Sequence, residues 1–284
     1  MFDPDEYRTR SRQSWEEAAA GWGARAGELQ DAALPVSQWL VEAVHPAPGQ
    51  TLVELAAGAG ETGFLAVERI QPGGRLLSTD GSEAMVEQAK ARAAILGLGD
   101  DKVQFRVMEA EWLDLSAATV DGILCRWGYM LLADPDSALR EARRVLKPGG
   151  RLALAAWAAV EENPWNGVLS RVLADLGHGV TDDPTGPGMY AFAPRGLLED
   201  MLEGVGFLEA ETAFVDFAFR PADLDAWWSY LHETSPTLRT LVPGLSPADH
   251  YALRDAIDAA YAPFASGDGP LEIPARALVA AATA

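Results

Sequence analysis

Three glycines and two acids carry the first chemical signal. Gly58, Gly60 and Gly63 stand in Gly58-Ala59-Gly60-Glu61-Thr62-Gly63, directly after the apolar run Leu52-Val53-Glu54-Leu55. Glycine at such a turn lets the backbone bend sharply or approach a ligand where a side chain would not fit. The spacing is that of the GxGxxG dinucleotide fingerprint. Asp80 follows Gly60 by twenty residues, placed to accept hydrogen bonds from a ribose diol. Two features point away from a dinucleotide. Glu54 puts an acid inside a strand where a nicotinamide enzyme has an apolar residue. Glu61 sits in the loop that would meet a diphosphate, with no compensating base beside it.

These residues need a frame. Apolar runs at 52–55, 74–80, 103–107, 120–125 and 151–157 alternate with helical patterns such as Met85, Val86, Ala89, Ala93 and Leu96. Ser82 is a natural cap for that helix. A βαβα rhythm with apolar strands predicts an α/β fold, a parallel sheet covered on both faces. In such a sheet the ligand sits beyond the carboxyl ends of the strands. The residues to examine are therefore those just after each strand: the glycines, then Asp80, then Glu109, Ala110 and Glu111, then Arg126 and Trp127.

Composition narrows the partners. The 284 residues are 49% hydrophobic with a formal net charge of −20, enough to bury a core and opposed to nucleic acid or an anionic membrane surface. The cluster Arg140-Arg143-Arg144-Lys147 reads as a solvated helix face. Cys125 is the single cysteine, as expected in a reducing compartment, and the acidic start lacks a signal-peptide layout. No apolar run reaches the length of a membrane helix. A cytoplasmic protein is expected, and the sequence permits a homodimer.

With strands, loop and acids in place, the chain resembles the class I S-adenosylmethionine-dependent methyltransferases, nearest the ubiquinone/menaquinone C-methyltransferase group. The likeness covers about residues 35–157. It rests on Val53-Glu54-Leu55-Ala56-Ala57-Gly58-Ala59-Gly60, Ser78-Thr79-Asp80-Gly81-Ser82-Glu83-Ala84-Met85, Glu109-Ala110-Glu111, Asp121-Gly122-Ile123 and Arg144 to Leu152. It implies a Rossmann-like, doubly wound seven-stranded sheet of order 3-2-1-4-5-7-6, the last strand antiparallel. S-adenosyl-L-methionine would be the cofactor and S-adenosyl-L-homocysteine the product. The expected cofactor residues are Glu54, Ala56, Gly58, Gly60, Asp80, Gly81, Ser82, Met85, Glu109, Ala110, Glu111, Trp112 and Arg126. Ala56 stands where the family often has glycine, and Glu109 where it usually has aspartate. Arg126-Trp127-Gly128-Tyr129 is unlike the quinone enzymes, so the acceptor is expected there.

The rest of the chain divides as cover. Residues 1–31 form an N-terminal helical cap, with Tyr7, Trp15 and Trp22 either packed on the domain or covering a ligand. Residues 32–157 are the cofactor-binding core, 158–192 a loop-rich cover, 193–220 a continuation of the core. Residues 221–262 make a helical lid and 263–284 the final strand. Aromatics in these segments predict a small apolar or aromatic acceptor, O-, C- or N-methylated by in-line displacement, held by Trp127, Tyr129, Trp165, Tyr190 and Trp228. Alignment and water exclusion matter most for that step. His45, His178, His232 and His250 show no metal spacing, and no metal is expected. His232, among lid aromatics, is the candidate general base. A nicotinamide-dependent oxidoreductase and a non-catalytic cofactor-binding scaffold are the alternatives.

Overall fold

The alternating pattern is realised in a computed structural model that describes residues 2–179, 186–266 and 270–284. Residues 180–185, inside the expected loop-rich cover, and 267–269 lie outside that description. The strands are β1 (Thr51–Glu54), β2 (Arg75–Asp80), β3 (Val103–Val107), β4 (Val120–Arg126), β5 (Leu146–Trp157), β6 (Leu208–Phe219) and β7 (Ile273–Thr283). They form one sheet of order β3-β2-β1-β4-β5-β7-β6, in which β7 is antiparallel to β5 and β6. The order and the reversed last strand are those the resemblance implies. Leu52, Val53, Leu76, Ile123, Leu124 and Leu152 are buried, the mark of strands covered on both faces.

The principal helices are α1 (Pro4–Ala43), α2 (Gly63–Val67), α3 (Glu83–Ile95), α4 (Pro135–Val145), α5 (Pro164–Asp175), α6 (Leu197–Gly204), α7 (Leu224–Thr234), α8 (Pro236–Leu241) and α9 (Pro247–Tyr261). No helix among the described residues is long and apolar enough to cross a membrane.

Two segments differ from the sequence reading. The expected cap over 1–31 and the following helix are one element of 40 residues. Gly27 and Pro35 do not interrupt it, because Ala26, Leu29, Ala33, Val36, Leu40 and Val44 continue a single buried stripe,. Pro35 lies inside this helix; it removes one backbone donor, which the packing of both flanking halves outweighs.

The second difference is α5, within a stretch that its glycines and prolines marked as loop. Asn163 sets the start of α5. Its buried Nδ2 donates to the carbonyls of Ala158, Ala159 and Arg276, each at 3.1 Å, and its Oδ1 accepts from the Arg276 N–H at 2.9 Å. One amide thus ties the end of β5 to β7 and fixes where the chain re-enters a helix, with Pro164 in the first turn as helices favour.

Asn163→Ala leaves those backbone groups buried without partners. It is expected to cost about 3 kcal/mol of unfolding free energy, read as a lower urea midpoint with an unchanged m-value.

Candidate active site

β1 ends on Glu54, and the chain then turns over the top of the sheet. Ala56, Gly58 and Gly60 have φ of +49°, +55° and +79°, so two of the three left-handed positions use glycine and one forces alanine. That costs Ala56 about 1–2 kcal/mol. Neighbouring strands hold the strained turn: Leu55 N–H donates to the Leu124 carbonyl at 2.8 Å and Ala57 N–H to the Thr79 carbonyl at 2.9 Å. Gly128, after β4, completes the fit, because a Cβ there would meet Ala56 Cβ at 2.6 Å.

Asp80 closes the loop from the other side. Its Oδ2 accepts the Gly58 N–H and its Oδ1 the Ser82 N–H, both at 2.9 Å. Burial raises its pKa, against the pull of those two hydrogen bonds. Ser82 caps α3 by accepting the Met85 N–H at 3.1 Å, and Glu16 of α1 reaches the same helix end, accepting from Glu83 N–H at 2.7 Å and Ala84 N–H at 3.0 Å. An acid at a helix N-terminus complements its dipole.

Between loop and helix lies a cavity lined from β1, β2, β4 and α1. One end is acidic, with Asp80, Gly81, Ser82, Met85, Glu109 and Glu111. The other holds Glu54, Glu61, Thr62, Arg126 and Trp127. α1 runs along the whole length, contributing Tyr7, Arg8, Ser11, Arg12, Trp15, Trp22 and Leu29. It is tied down at several points. Tyr7 donates to the Leu131 carbonyl at 3.0 Å, Arg8 Nε to Glu111 at 2.7 Å, and Arg25 to both Glu233 oxygens at 2.8 Å.

Glu54 and Glu61 are the unusual groups. Glu54 is 2% exposed; its Oε1 accepts the Gly63 N–H at 2.8 Å and its Oε2 has no partner among the described residues. Burial pushes its pKa up to about 8; the Gly63 N–H and Arg126 oppose the rise and the Glu61 carboxylate adds to it. Glu61 pairs with Arg126, and burial raises its pKa against the pull of Arg126 and Arg92. Arg126 also donates to Ser37 Oγ at 3.0 Å, and Ser37 lies 3.0 Å from Thr62 Oγ1.

Of the residues picked out by sequence, Glu54, Ala56, Gly58, Asp80, Gly81, Ser82, Met85, Glu109, Glu111, Arg126 and Trp127 line the cavity. Gly60 serves the turn instead, with the Phe64 ring where a side chain would go. Ala110 is buried away from the lining, and Trp112 is 56% exposed with the Arg8 guanidinium 4.6 Å from its ring centre.

The expected acceptor aromatics mostly lie elsewhere. The buried Tyr129 hydroxyl points to the Ala138 carbonyl of α4, 3.4 Å away. Trp165 contacts Trp157 and Phe219, and Tyr190 donates to Asn166. In α7 the inward stripe is Trp227, Tyr230, Leu231 and Thr234. Trp228 and His232, spaced i, i+4, fall on a different face and stack on each other 5.9 Å apart, near His250,. The base expected at His232 is therefore not at the cavity. Glu61, Ser37, Thr62 and the polar residues of α1 are what sequence reasoning left out. Glu61 was visible only as a poor neighbour for a diphosphate, and nothing in the spacing joins Ser37 to residue 126.

A family model described as a methyltransferase domain matches residues 54–154, from the buried acid of β1 to the middle of β5. Over these residues the chain is similar to methyltransferases. It is 27% identical over 206 residues to the nocamycin O-methyltransferase of Saccharothrix syringae, covering 68% of this chain and 71% of that one. To the ubiquinone/menaquinone C-methyltransferase of Acidiphilium cryptum it is 40% identical over 117 residues, 39% of this chain and 43% of the relative. The chain thus spans less than half of that second relative. The YcgJ protein of Bacillus subtilis shares the fold, with a TM-score of 0.57 and 19% identity over 87% of this chain and 97% of that one. The glycine loop, β2 to β4 and most of β5 fall inside the 54–154 match, and α1 and α7 to α9 lie outside it.

The Glu54 proton gives a test of the site's electrostatics. Folded, Glu54 keeps its proton up to about pH 8; unfolded, a glutamate loses it near ~4.3. This group's stabilising contribution is full below the unfolded value and lost as pH rises through the folded one. Glu54→Gln is expected to leave the melting temperature of the ligand-free protein nearly unchanged at pH ~5 and to raise it by about 3 °C or more at pH ~9. A lower melting temperature than wild type at the alkaline pH, by calorimetry, contradicts the assignment.

Proposed function

We propose that this chain transfers a methyl group from S-adenosylmethionine to a small, apolar or aromatic acceptor held between α1 and the residues after β4. The observation that carries this reading is the cavity itself, whose lining sets acids beside an apolar wall. Asp80 is placed for a ribose diol. Trp22, Leu29, Trp127, Leu131 and Leu132 make that apolar wall. Trp127 is held rigidly, with φ of +60° and its indole stacked 4.2 Å from Trp157 at 7°.

The cofactor's fit rests on two further features. Glu54 Oε2 is a buried polar atom at the cavity wall with no partner among the described residues, and such an atom is costly unless a ligand group meets it. Glu109 and Glu111 face guanidinium groups, Arg12 at 3.4 Å and Arg8, whereas Asp80 accepts one backbone N–H on each oxygen and keeps lone pairs for a diol,. When bound, S-adenosylmethionine supplies a methyl on a cationic sulfonium that a nucleophile displaces in line. For that displacement the chain's residues orient and dehydrate: α1 closes one side of the cavity and Trp127 the other. The net charge of −20 favours a small molecule over a nucleic acid.

Titration calorimetry with S-adenosylhomocysteine and NADH tests the cofactor. Binding of the first and not the second is expected, with Asp80→Asn weakening it by about 10- to 100-fold, the worth of a charged hydrogen-bond pair. NADH binding without S-adenosylhomocysteine binding would sink the assignment.

The acceptor wall is tested by radiolabelled methyl transfer to a panel of small phenols, naphthols and aromatic amines. Trp127→Ala is expected to cut turnover of the accepted compounds by about tenfold or more, a ~1.4 kcal/mol effect. Trp228→Ala, on the outer face of α7, should leave it unchanged. Equal losses in both variants would remove Trp127 from the pocket.

A further inference from the structure

Trp127 stands in the cavity wall against its own backbone preference. Its φ of +60° makes it an outlier among bulky residues. The surroundings enforce that conformation. The Trp127 N–H donates to the Ala155 carbonyl of β5 at 2.8 Å. The next residue is pressed so close to the glycine loop that a Cβ on Gly128 would meet Ala56 Cβ at 2.6 Å. Strain of this kind persists at sites where the direction of a side chain matters.

The faces of the Trp127 ring are already in use. Trp157 stacks on it 4.2 Å away and 7° from parallel, and the Arg126 guanidinium stands over the ring at 4.7 Å from its centre. A molecule in the cavity therefore meets the edge of the indole. That edge carries a buried Nε1–H with no partner among the described residues, on a side chain that is 9% exposed and lines the cavity. Trp165 and Trp227 have unpartnered Nε1 atoms too, but they lie outside this lining, so a missing partner alone marks no site. At Trp127 it coincides with the strained backbone and the covered faces. Trp22 of α1, on the same lining, carries a second buried N–H in the same condition.

Given the proposed methyl transfer, on which this rests, we infer that Trp127 Nε1–H is a specificity contact and that it selects acceptors carrying a carbonyl oxygen. An indole N–H donates and cannot accept, so only a group with a free lone pair satisfies it. A hydroxyl about to be methylated is a poorer nucleophile when it accepts a hydrogen bond. The contact therefore falls on a second oxygen of the acceptor, a carbonyl, whose two lone pairs leave room for the Trp22 N–H as well. An acceptor without that oxygen leaves a donor buried and unpaired, and a site built to hydrogen-bond a group discriminates against the analogue that lacks it.

The test titrates the full chain calorimetrically, in saturating S-adenosylhomocysteine, with the three hydroxyacetophenones and with the three ethylphenols that match them in outline. Wild type is expected to bind the best hydroxyacetophenone about 10-fold tighter than its ethyl counterpart. Trp127→Phe keeps an aromatic ring against Trp157 and removes the N–H, and its preference is expected to fall to within about twofold. If that variant does not fold, 3-benzothienylalanine at position 127 decides, since sulfur there replaces the N–H in the same bicyclic outline. A wall that only packs loses affinity for both members of a pair and keeps their ratio. Preference retained in the variant without the N–H, no preference in wild type, or binding of none of the six compounds overturns the contact. Failure of wild type to bind S-adenosylhomocysteine removes the methyl-donor reading itself, a different result from any of these.

Discussion

A carboxyl group buried at the end of the central strand is the constraint on which the site depends. Glu54 can be there only because the chain immediately bends back to offer it the Gly63 N–H. That return requires residue 63 to lack a side chain, since a Cβ would run into the Glu54 carboxylate. The loop between them is consequently short and tight, and it is forced through three left-handed residues. The strain at Ala56 is sustained by β2 and β4 on either side, as strained residues at functional sites are held by the structure around them.

The remaining charges are arranged by ownership. Near the mouth, α1 supplies the cations: Arg8 and Arg12 reach Glu111 and Glu109. Deeper in, the sheet supplies its own, Arg126 from the end of β4. An acidic chain thus spends few basic residues, and two of them secure a helix over a pocket. Cys125, beside Arg126, takes no part: burial raises its thiol pKa to about 12, which keeps it protonated and inert.

The sheet was legible in the sequence because parallel strands buried on both faces read as apolar runs, and because the turn residues between them are local. The acids and glycines at strand ends were legible for the same reason. Residues on long helices were not. Trp228 and Trp227 are adjacent in sequence and face different surroundings, and aromatic content alone does not say which of them turns inward. Asn163 looked like one more polar loop residue, although its four hydrogen bonds organise the passage from β5 to α5. Glu61 and Ser37 meet only through Arg126, a tertiary fact with no local signature. The expectation of separate helices before and after residue 31 failed because a polar stretch with spaced aromatics was read apart from the apolar stripe after it, where continuous burial joins them.

The length of α1 has a mechanical consequence. Forty residues make a rod of about 60 Å, and its contacts run from Glu111 at the acidic end to Glu233 on α7. Such a rod does not bend in its middle without giving up backbone hydrogen bonds. Its ladder already lacks one donor at Pro35,, between the cavity-lining part and the stripe from Val36 to Val44 that anchors it to the core. Motion about that point lifts everything N-terminal to it as a unit. On the proposed function, donor and acceptor would then share one door, and a spent donor would leave only with the acceptor's side open as well.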